Sequence, residues 1–378
     1  MGLLIPKAAF VYSDQLSRHV LREDHPLQAR RLRLTYELLE SYGAFQHPDA
    51  LLVAPSPATE AELLLIHAPE YIEAVEGISR GESYFDPARY NLSAYGDNPP
   101  YPGMYEASAL STGASLVAAD LLLEGRARVA FSISGGLHHA AWDHASGFCI
   151  FNDPAVAIAH LVGRGLRVAY VDIDAHHGDG VQNAFYDTDR VLTISLHESG
   201  RYLFPGTGEV TETGSGRGAG YSVNLPFLPY TGDSVYCWAF DQIVPPLVSA
   251  FHPDVLVAQL GVDAYFRDPL AHLQLSTRTY GYVAPQLLTL APLVLALGGG
   301  GYDPEAVARV WALEYGLMLG IEWPDDIPAA FSDRYGMHSL RDAEVPQNQA
   351  GVEEQTREYA EAGVEALKCT VFPTHGIS

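Results

Sequence analysis

The segment Asp172-Ile-Asp174-Ala-His176-His177-Gly178-Asp179 places five titratable side chains within eight residues, directly after an apolar run. Side chains alternate at the end of a strand, so Asp172, Asp174 and His176 are expected to point the same way. We predict Asp174 and His176 as two ligands of one divalent ion, and Asp263, just past another apolar run, as the third. Three protein ligands leave a position open for water, which is typical of a catalytic metal site.

The mixed oxygen and nitrogen ligands restrict the metal to a few ions. Zn²⁺ would lower the pKa of a bound water to about 7 and would polarise an amide carbonyl. Fe²⁺ and Mn²⁺ also suit these ligands. A single Asp or His at a strand end more often caps a helix or pairs with a neighbour, so the metal prediction depends on the clustering.

A second segment, Gly135-Gly136-Leu137-His138-His139, also follows an apolar run. Buried ring nitrogens need hydrogen-bond partners, and Asp172 and Asp179 remain available once the metal has its ligands. A carboxylate that binds one ring nitrogen fixes the tautomer and raises the basicity of the other nitrogen. Two such His–Asp pairs beside an activated water predict a general base and a general acid.

A third segment runs from Gly298 to Gly301 and is followed by Tyr302. It is not a phosphate-binding P-loop, because no Gly-Lys-Ser/Thr follows it. Tyr302 could donate its hydroxyl to the oxyanion that develops when water attacks an amide. A purely structural glycine turn is the alternative.

These segments need a fold that brings their distant positions together. Short apolar runs predict strands at 127–134, 167–174, 191–197, 254–261 and 292–298. Helical periodicity predicts helices at 26–42, 108–123, 154–162, 233–251, 277–290 and 304–318. This alternation indicates an α/β fold of one domain, with a mainly parallel β-sheet flanked by helices. Ligands bind beyond the carboxyl ends of such strands, which is where the candidate segments lie.

Composition and charge exclude several classes of protein. The net charge of −24 in 378 residues, with lysine only at positions 7 and 368, argues against nucleic-acid binding. The longest uncharged run, 279–302, is interrupted by proline, glutamine and glycine, so no membrane span is predicted. The first 14 residues lack the pattern of a signal peptide. Three scattered cysteines favour a reducing, cytoplasmic setting.

Taken together, the segments resemble the histone deacetylase family, in particular the class I-like enzymes and the bacterial acetoin-utilisation deacetylases. The resemblance covers about residues 9–320 of a single catalytic domain spanning 1–378, with 321–378 as a C-terminal helical extension. It rests on six motifs in one order, namely HPLQARRLRLTYELL, GGLHHAAWDHASGFCIFND, YVDIDAHHGDGVQNAFY, ISLHESGRYLFPGTGEV, QLGVDAYFRDPL and LGGGGYDPEAVARVW.

The resemblance implies an arginase/deacetylase-like fold and zinc-dependent hydrolysis of Nε-acetyl-lysine by a metal-bound water. It implies Asp174, His176 and Asp263 as zinc ligands, with Fe²⁺ as an alternative metal. His138 would pair with Asp172 and His139 with Asp179, with His139 as the general base and acid, and Tyr302 would stabilise the oxyanion.

The resemblance also implies substrate-binding and monovalent-cation residues. Gly147, Phe148 and Phe204 would line a narrow tunnel for the lysine stem, and Asp97 would hold the substrate backbone at the rim. A structural potassium ion would lie near Asp172, Asp174, His176, Ser195 and Leu196. A second monovalent site would involve Phe185, Thr188, Val191 and Tyr221.

Two departures from the family pattern concern the substrate. Leu137 replaces a tryptophan beside the pocket through which acetate leaves, a pocket that would also involve Arg31, Gly299 and Gly301. A smaller side chain there would widen the pocket, and our hypothesis is that acyl groups longer than acetyl are accepted. Leu270 stands where polyamine deacetylases carry a glutamate, which favours acylated lysine over acetylpolyamines.

The sequence leaves three alternative functions to weigh. An acetylpolyamine or other small-molecule amidohydrolase would share the fold. A dinuclear ureohydrolase is disfavoured because Gly178 occupies the position of its last carboxylate ligand. An inactive acyl-lysine-binding protein is disfavoured because the ligands, both His–Asp pairs and Tyr302 are all present. The expected partners are acylated lysine side chains of proteins or peptides, with no nucleic acid and no membrane. The oligomeric state stays open.

Overall fold

The computed structural model describes residues 7–18, 21–348 and 350–377. The predicted absence of a signal peptide depends partly on residues 1–6, which lie outside the described residues. An eight-stranded sheet forms the centre of the protein, in the order β2-β1-β3-β8-β7-β4-β5-β6. Every pair of neighbouring strands is parallel. The strands are β1 (Ala8–Val11), β2 (Ala50–Val53), β3 (Val129–Ser132), β4 (Val168–Asp172), β5 (Val191–Glu198), β6 (Ser222–Phe227), β7 (Val255–Gln259) and β8 (Leu293–Leu297).

Helices surround this sheet, and the predicted α/β fold is confirmed. The helices are α1 (Arg30–Ser41), α2 (Glu60–Leu63), α3 (Pro69–Ser79), α4 (Met104–Leu123), α5 (Asp153–Gly163), α6 (Asp179–Ala184), α7 (Asp233–Phe251), α8 (Thr277–Leu287), α9 (Pro304–Leu319), α10 (Ala329–Tyr335) and α11 (Val352–Thr370). The five predicted strands and six predicted helices are all present. The sequence pattern did not predict β1, β2, β6, α2, α3 and α6, and the predicted C-terminal helical extension contains α10 and α11.

The central strands are buried along their whole length because helices cover both faces of the sheet. All residues of β4, β5 and β7 are buried, including polar ones such as Gln259. This burial explains why these strands are apolar at both alternating positions. Truncating a fully buried side chain such as Leu256 to alanine would cost about 2–5 kcal/mol of stability.

Within the described residues, one helix, α4, is long and apolar enough to span a membrane. In α4, 72% of the most apolar window is buried inside the protein. It packs against α5, β3 and β1. Its apolar composition therefore reflects a place in the core.

The strand order explains how the predicted site forms. Strands β3, β8, β7 and β4 are consecutive neighbours in the sheet although they are distant in sequence. The His138 segment follows β3, Tyr302 follows β8, Asp263 follows β7, and Asp174 follows β4. Because all strands are parallel, these four carboxyl ends meet at one edge of the sheet.

Candidate metal-dependent active site

Three potential metal ligands converge at the carboxyl ends of β4 and β7. Single ligand atoms of Asp174, His176 and Asp263 lie within 4.8 Å of one another, and all three residues are buried. Nδ1 of His176 is 3.1 Å from Oδ1 of Asp174 and 2.9 Å from Oδ2 of Asp263. The structure therefore brings together the three residues that the spacing predicted.

The second oxygen of each carboxylate is held by the protein. Oδ2 of Asp174 accepts hydrogen bonds of 2.7 Å from Nε2 of Gln259 and from the backbone N–H of Gly300. Oδ1 of Asp263 accepts a 2.7 Å bond from the backbone N–H of Ala175. These donors orient the carboxylates so that one oxygen of each faces His176.

The electrostatics of this cluster fit a bound cation. Burial, together with the nearby carboxylate of Asp174, raises the pKa of Asp263 to about 6. Although burial opposes it, the two carboxylates raise the pKa of His176 well above its usual value. Two buried carboxylates therefore demand positive charge, and a divalent ion held by two oxygens and one nitrogen would supply it.

Two glycines keep this region free of side chains. A Cβ on Gly300 would lie 2.0 Å from Oδ2 of Asp263, and a Cβ on Gly178 would lie 2.5 Å from Oδ2 of Asp172. The position that carries the last ligand of a dinuclear ureohydrolase thus has no room for a carboxylate. This geometry favours a single metal ion.

Both predicted His–Asp pairs form next to the three ligands. Nδ1 of His138 is 2.7 Å from Oδ2 of Asp172, and Nδ1 of His139 is 2.7 Å from Oδ1 of Asp179. The Nε2 atoms of the two histidines are 3.0 Å apart. Both imidazoles therefore turn their second nitrogen toward the same small space.

The two imidazoles differ in charge. Burial lowers the pKa of His138, but Asp172 and Asp174 outweigh it and raise the pKa to about 9. Burial and the charge of His138 lower the pKa of His139 to about 4. These opposite shifts favour a proton on His138 and leave His139 available as a proton acceptor.

Tyr302 lines the same pocket as the two histidines. Its ring centroid is 6.4 Å from that of His176 and 5.7 Å from that of Phe148. Burial, followed by the charges of Asp263 and Asp174, raises the pKa of Tyr302 well above its usual value. The phenol therefore stays protonated and can donate a hydrogen bond.

Asp268, which the sequence analysis did not single out, connects Tyr302 to the loop after β7. Its Oδ2 accepts a 2.8 Å hydrogen bond from the backbone N–H of Tyr302, and its Oδ1 accepts a 2.9 Å bond from that of Leu270. The acidic residue in the Arg-Asp-Pro-Leu motif was the available signal. Leu270 is partly buried.

Aromatic rings line the approach to these groups. The Phe204 ring is 5.0 Å from His139, and a Cβ on Gly147 would lie 2.3 Å from Cδ2 of His139. Phe148 packs against His25 at 4.6 Å. Phe204, at 42% exposure, reaches the surface. Gly147, Phe148 and Phe204 are thus placed around one narrow pocket.

His25, another residue that the sequence analysis missed, links this pocket to the predicted rim. Its Nε2 is 3.1 Å from the carbonyl oxygen of Asp97, while its Nδ1 accepts a 3.0 Å bond from the N–H of Leu27. The histidine before Pro26 in the first motif was the signal. Asp97 is exposed.

A cavity of about 90 Å³ lies next to the pocket, and Leu27, Leu137 and Phe148 line both. Arg31 also lines the cavity, and its Nη1 donates a 3.0 Å bond to the carbonyl of Gly301. Gly299 lines the pocket itself. Of the four predicted acetate-pocket residues, Leu137 therefore lines both spaces, Arg31 and Gly299 line one each, and Gly301 contacts Arg31.

The loop that carries His138 and His139 is fixed by the start of α5. Asp153 accepts hydrogen bonds of 3.0 and 2.9 Å from the N–H groups of Gly136 and Leu137. Nδ2 of Asn152 donates to the carbonyls of His138 and Ala140, at 3.0 Å each. Neither residue was predicted from the sequence, although Asn-Asp-Pro is a typical helix start.

The predicted potassium residues lie close to this site but keep other contacts. Ser195 is the register partner of Asp172, and its Oγ is 2.8 Å from Nδ1 of His197. The carbonyl of Leu196 accepts a 3.4 Å bond from the Tyr236 hydroxyl. At the second predicted monovalent site, the carbonyl of Tyr221 accepts a 2.9 Å bond from Thr193. Both cation sites stay predictions.

Comparisons with known proteins agree with this geometry. Residues 25–318 match the sequence model of the histone deacetylase domain. Acetoin utilization protein AcuC of Bacillus subtilis (strain 168) is 42% identical over 331 residues, which cover 84% of this chain and 85% of that protein. AcuC of Staphylococcus aureus (strain MRSA252) is 40% identical over 82% of this chain and 80% of its own length.

Solved structures give the same result. A histone deacetylase homologue in complex with SAHA superimposes with a TM-score of 0.85 at 32% identity and covers 95% of this chain and 100% of its own. A homologue from Aquifex aeolicus gives the same score and identity, with 94% of this chain and 100% of its own covered.

Proposed function

This chain belongs to the histone deacetylase family and is a deacetylase, and on that premise we propose that it hydrolyses Nε-acyl-lysine with one divalent metal ion. The observation that carries the proposal is the convergence of three ligand atoms within 4.8 Å beside two His–Asp pairs and Tyr302. The bottom of an aromatic-walled pocket provides the place for an amide.

Asp174, His176 and Asp263 would hold the metal, which we propose to be Zn²⁺, with Fe²⁺ as the alternative. When bound, the ion would supply Lewis-acid chemistry, activating water and polarising the amide carbonyl. Gln259 and the backbone N–H groups of Gly300 and Ala175 keep the carboxylates in place for it.

The protein groups perform the proton transfers. His139, oriented by Asp179, takes the proton of the attacking water and later gives a proton to the leaving amine. His138, oriented by Asp172, supplies positive charge beside it. The protonated Tyr302 donates its hydroxyl to the oxygen of the amide as negative charge develops there.

The pocket suits the long, thin stem of lysine. Phe148 and Phe204 would enclose its methylene groups, and Asp97 at the rim would accept backbone N–H groups of the substrate. Acetylpolyamines are the second candidate substrate class because they present the same kind of amide. Leu270 has no charge that could bind the second ammonium group of a polyamine, and this supports acyl-lysine as the substrate.

We further propose that acyl groups longer than acetyl are accepted. Leu137, where many family members have tryptophan, lines both the pocket and the adjoining cavity of about 90 Å³. Leu27 and Ile150 add apolar walls to the cavity. A butyryl chain would place its extra methylene groups against these side chains.

Two expectations accompany this proposal. A potassium ion near Asp172, Asp174, His176, Ser195 and Leu196 would stabilise the strand ends that carry the ligands. The thiols of Cys149, Cys237 and Cys369 are free in the described structure, which supports a reducing, cytoplasmic setting.

The test is a substrate panel on protein reconstituted separately with Zn²⁺ and Fe²⁺. We expect one catalytic metal per chain and release of acetate from acetyl-lysine peptides, with acetylspermidine as a poor substrate. Butyryl-lysine should be hydrolysed by the wild type. A Leu137→Trp substitution should lower the rate of butyryl-lysine hydrolysis more than that of acetyl-lysine hydrolysis. Release of urea from arginine with two metals per chain would contradict the proposal, as would preference for acetylspermidine. Strict acetyl specificity would contradict only the acyl-length proposal.

A further inference from the structure

A buried ion pair joins the C-terminal part of the chain to the region of the metal ligands. Nη2 of Arg309 on α9 is 2.7 Å from Oδ1 of Asp342, and the two side chains are only 9% and 7% exposed. Asp342 lies beyond residue 318, where the match to the family domain ends. The segment after α9 therefore contributes a buried charge to the body of the enzyme.

The carboxylate of Asp342 also binds two other elements. Its Oδ1 accepts a 2.7 Å hydrogen bond from the hydroxyl of Tyr265, in the loop after β7. Its Oδ2 accepts a 2.9 Å bond from the N–H of Thr277 at the start of α8, while its own N–H donates to Oγ1 of Thr277. One side chain thus connects the β7 loop, α8 and α9.

The residues that make these contacts are close in the chain to the metal ligand Asp263 and to Tyr302. Tyr265 is two residues after Asp263, and the intervening Ala264 is fully buried. The N–H of Tyr265 donates 3.1 Å to the carbonyl of Val262, so the ligand sits within a tight turn. Arg309, on α9, belongs to the helix that starts just after Tyr302.

The energetics make Asp342 important for this arrangement. Arg309 donates from Nη1 to the Tyr265 hydroxyl at 3.2 Å and from Nε to the carbonyl of Ser339 at 2.9 Å. Without Asp342, a buried guanidinium and a buried phenol would lose their charged partner and would have to rearrange. The turn that carries Asp263 would rearrange with Tyr265.

We propose that Asp342 is a positioning residue, which acts through Tyr265 on the metal ligand Asp263. The C-terminal segment is then a working part of the site. This inference rests on the proposed metal-dependent function. It names a role for a residue outside the segments that carry the family motifs.

The test compares Asp342→Asn with Asp325→Asn. Asp325 accepts 2.7 Å hydrogen bonds from Oγ of Ser339 and from the N–H of Arg341, so it holds the same segment at its exposed side. Competition with a fluorescent chelator gives the Zn²⁺ dissociation constant independently of turnover. We expect the Zn²⁺ dissociation constant to increase about 10-fold for Asp342→Asn, which is within the range seen for residues that support metal ligands. We expect no increase for Asp325→Asn.

A second variant distinguishes positioning from general destabilisation. Tyr265→Phe removes one hydroxyl and should increase the Zn²⁺ dissociation constant. In the double variant with Asp342→Asn, the fold-increase in this constant should be smaller than the product of the two single fold-increases. If Asp342→Asn does not fold, Tyr265→Phe alone decides. Unchanged Zn²⁺ affinity in the folded variants, with only a lower Tm, would overturn the inference. Weaker Zn²⁺ binding in a protein that hydrolyses no acyl-lysine would support positioning while refuting the proposed substrate.

Discussion

The carboxylates at the carboxyl end of the sheet and the carboxyl group of Glu314 on α9 are equally buried, but their surroundings are opposite. Asp172, Asp174 and Asp263 are at most 1% exposed, and each accepts hydrogen bonds from side chains or backbone N–H groups. Glu314 is also fully buried, yet neither oxygen has a hydrogen-bond partner among the described residues.

The difference shows what keeps a buried acid charged. At the sheet edge, histidines and oriented donors compensate the loss of water, so the charge is available for a cation. In the core, burial alone raises the pKa of Glu314 well above its usual value, which keeps the carboxyl group neutral. Variants in the first region should therefore alter chemistry, and variants of Glu314 should alter stability.

The largest effect on chemistry is expected from His139→Ala. The variant loses the proton acceptor at the pocket, so kcat should fall by about 10²–10⁴-fold. Zn²⁺ affinity should stay close to wild type because His139 is not a ligand. Steady-state kinetics on an acetyl-lysine peptide and chelator competition measure the two quantities.

His160→Ala is the matched control for this variant. Nε2 of His160 is 2.8 Å from Oδ1 of Asp120, which makes a His–Asp pair between α5 and α4 outside the site. Its kcat should equal that of the wild type. If kcat fell equally in His139→Ala and His160→Ala, the loss would reflect a general effect of His–Asp pairs on folding. That result would refute the role of His139 in proton transfer.

Tyr302→Phe should reduce kcat by about 10²–10³-fold, since it removes one donor to the developing oxyanion. KM should change little, because the ring still forms the pocket wall beside Phe148. Tyr282→Phe, which removes an exposed hydroxyl bound to Asp241, is the control. A Tyr302→Phe enzyme with wild-type kcat would exclude the hydroxyl from the mechanism.

Gln259→Leu should act on the metal. The variant removes the 2.7 Å hydrogen bond to Asp174 but keeps a side chain of similar size in β7. We expect Zn²⁺ affinity to fall by about 10–100-fold. Gln286→Leu, on the outer face of α8, should leave it unchanged. Unaltered affinity in Gln259→Leu would show that the backbone N–H of Gly300 is sufficient to hold Asp174.

The sequence predicted the half of the sheet that carries the site better than the other half. Strands β3, β4, β5, β7 and β8 are apolar segments that lead into polar or glycine-rich segments, so the pattern is strong. Strands β1 and β2 are as short as β3, with four residues each, but no glycine-rich or metal-binding segment directly follows them. Strand β6 contains Pro226, which is tolerated at the edge of a sheet and disguises the strand.

The ligands could be predicted from sequence and most of their supports could not. Asp174 and His176 are close in the chain, and Asp263 follows a recognisable strand. Gln259, Asp268, Asn152 and Asp153 act through hydrogen bonds to residues 12 to 123 positions away in the chain. The bond between Asp174 and Gly300 spans 126 positions. Such contacts depend on strand order, which no local pattern encodes. The local sequence likewise does not distinguish Glu314 from an exposed helical glutamate.

The smallest effect, and the one that tests the second region, is expected from Glu314→Leu. The replacement removes an unpartnered polar group from the core between α9 and its neighbours, so the free energy of unfolding should increase by about 1–3 kcal/mol at pH 7. Urea unfolding of the metal-free protein measures this gain. Glu358→Leu, on the exposed face of α11, is the control and should gain nothing.

The stability gained by Glu314→Leu should depend on pH, because the pKa of Glu314 differs between the folded and unfolded states. The pKa of Glu314 has the ordinary glutamate value of about 4.3 when the chain is unfolded, and burial raises it when the chain is folded. Between these two values the unfolded state loses its proton while the folded state keeps it, so wild-type stability falls as pH rises. Glu314→Leu should abolish this part of the slope, and its advantage should shrink as the pH is lowered toward 4. A gain that is the same at pH 5 and pH 8 would show that Glu314 finds a partner in solution and stays charged.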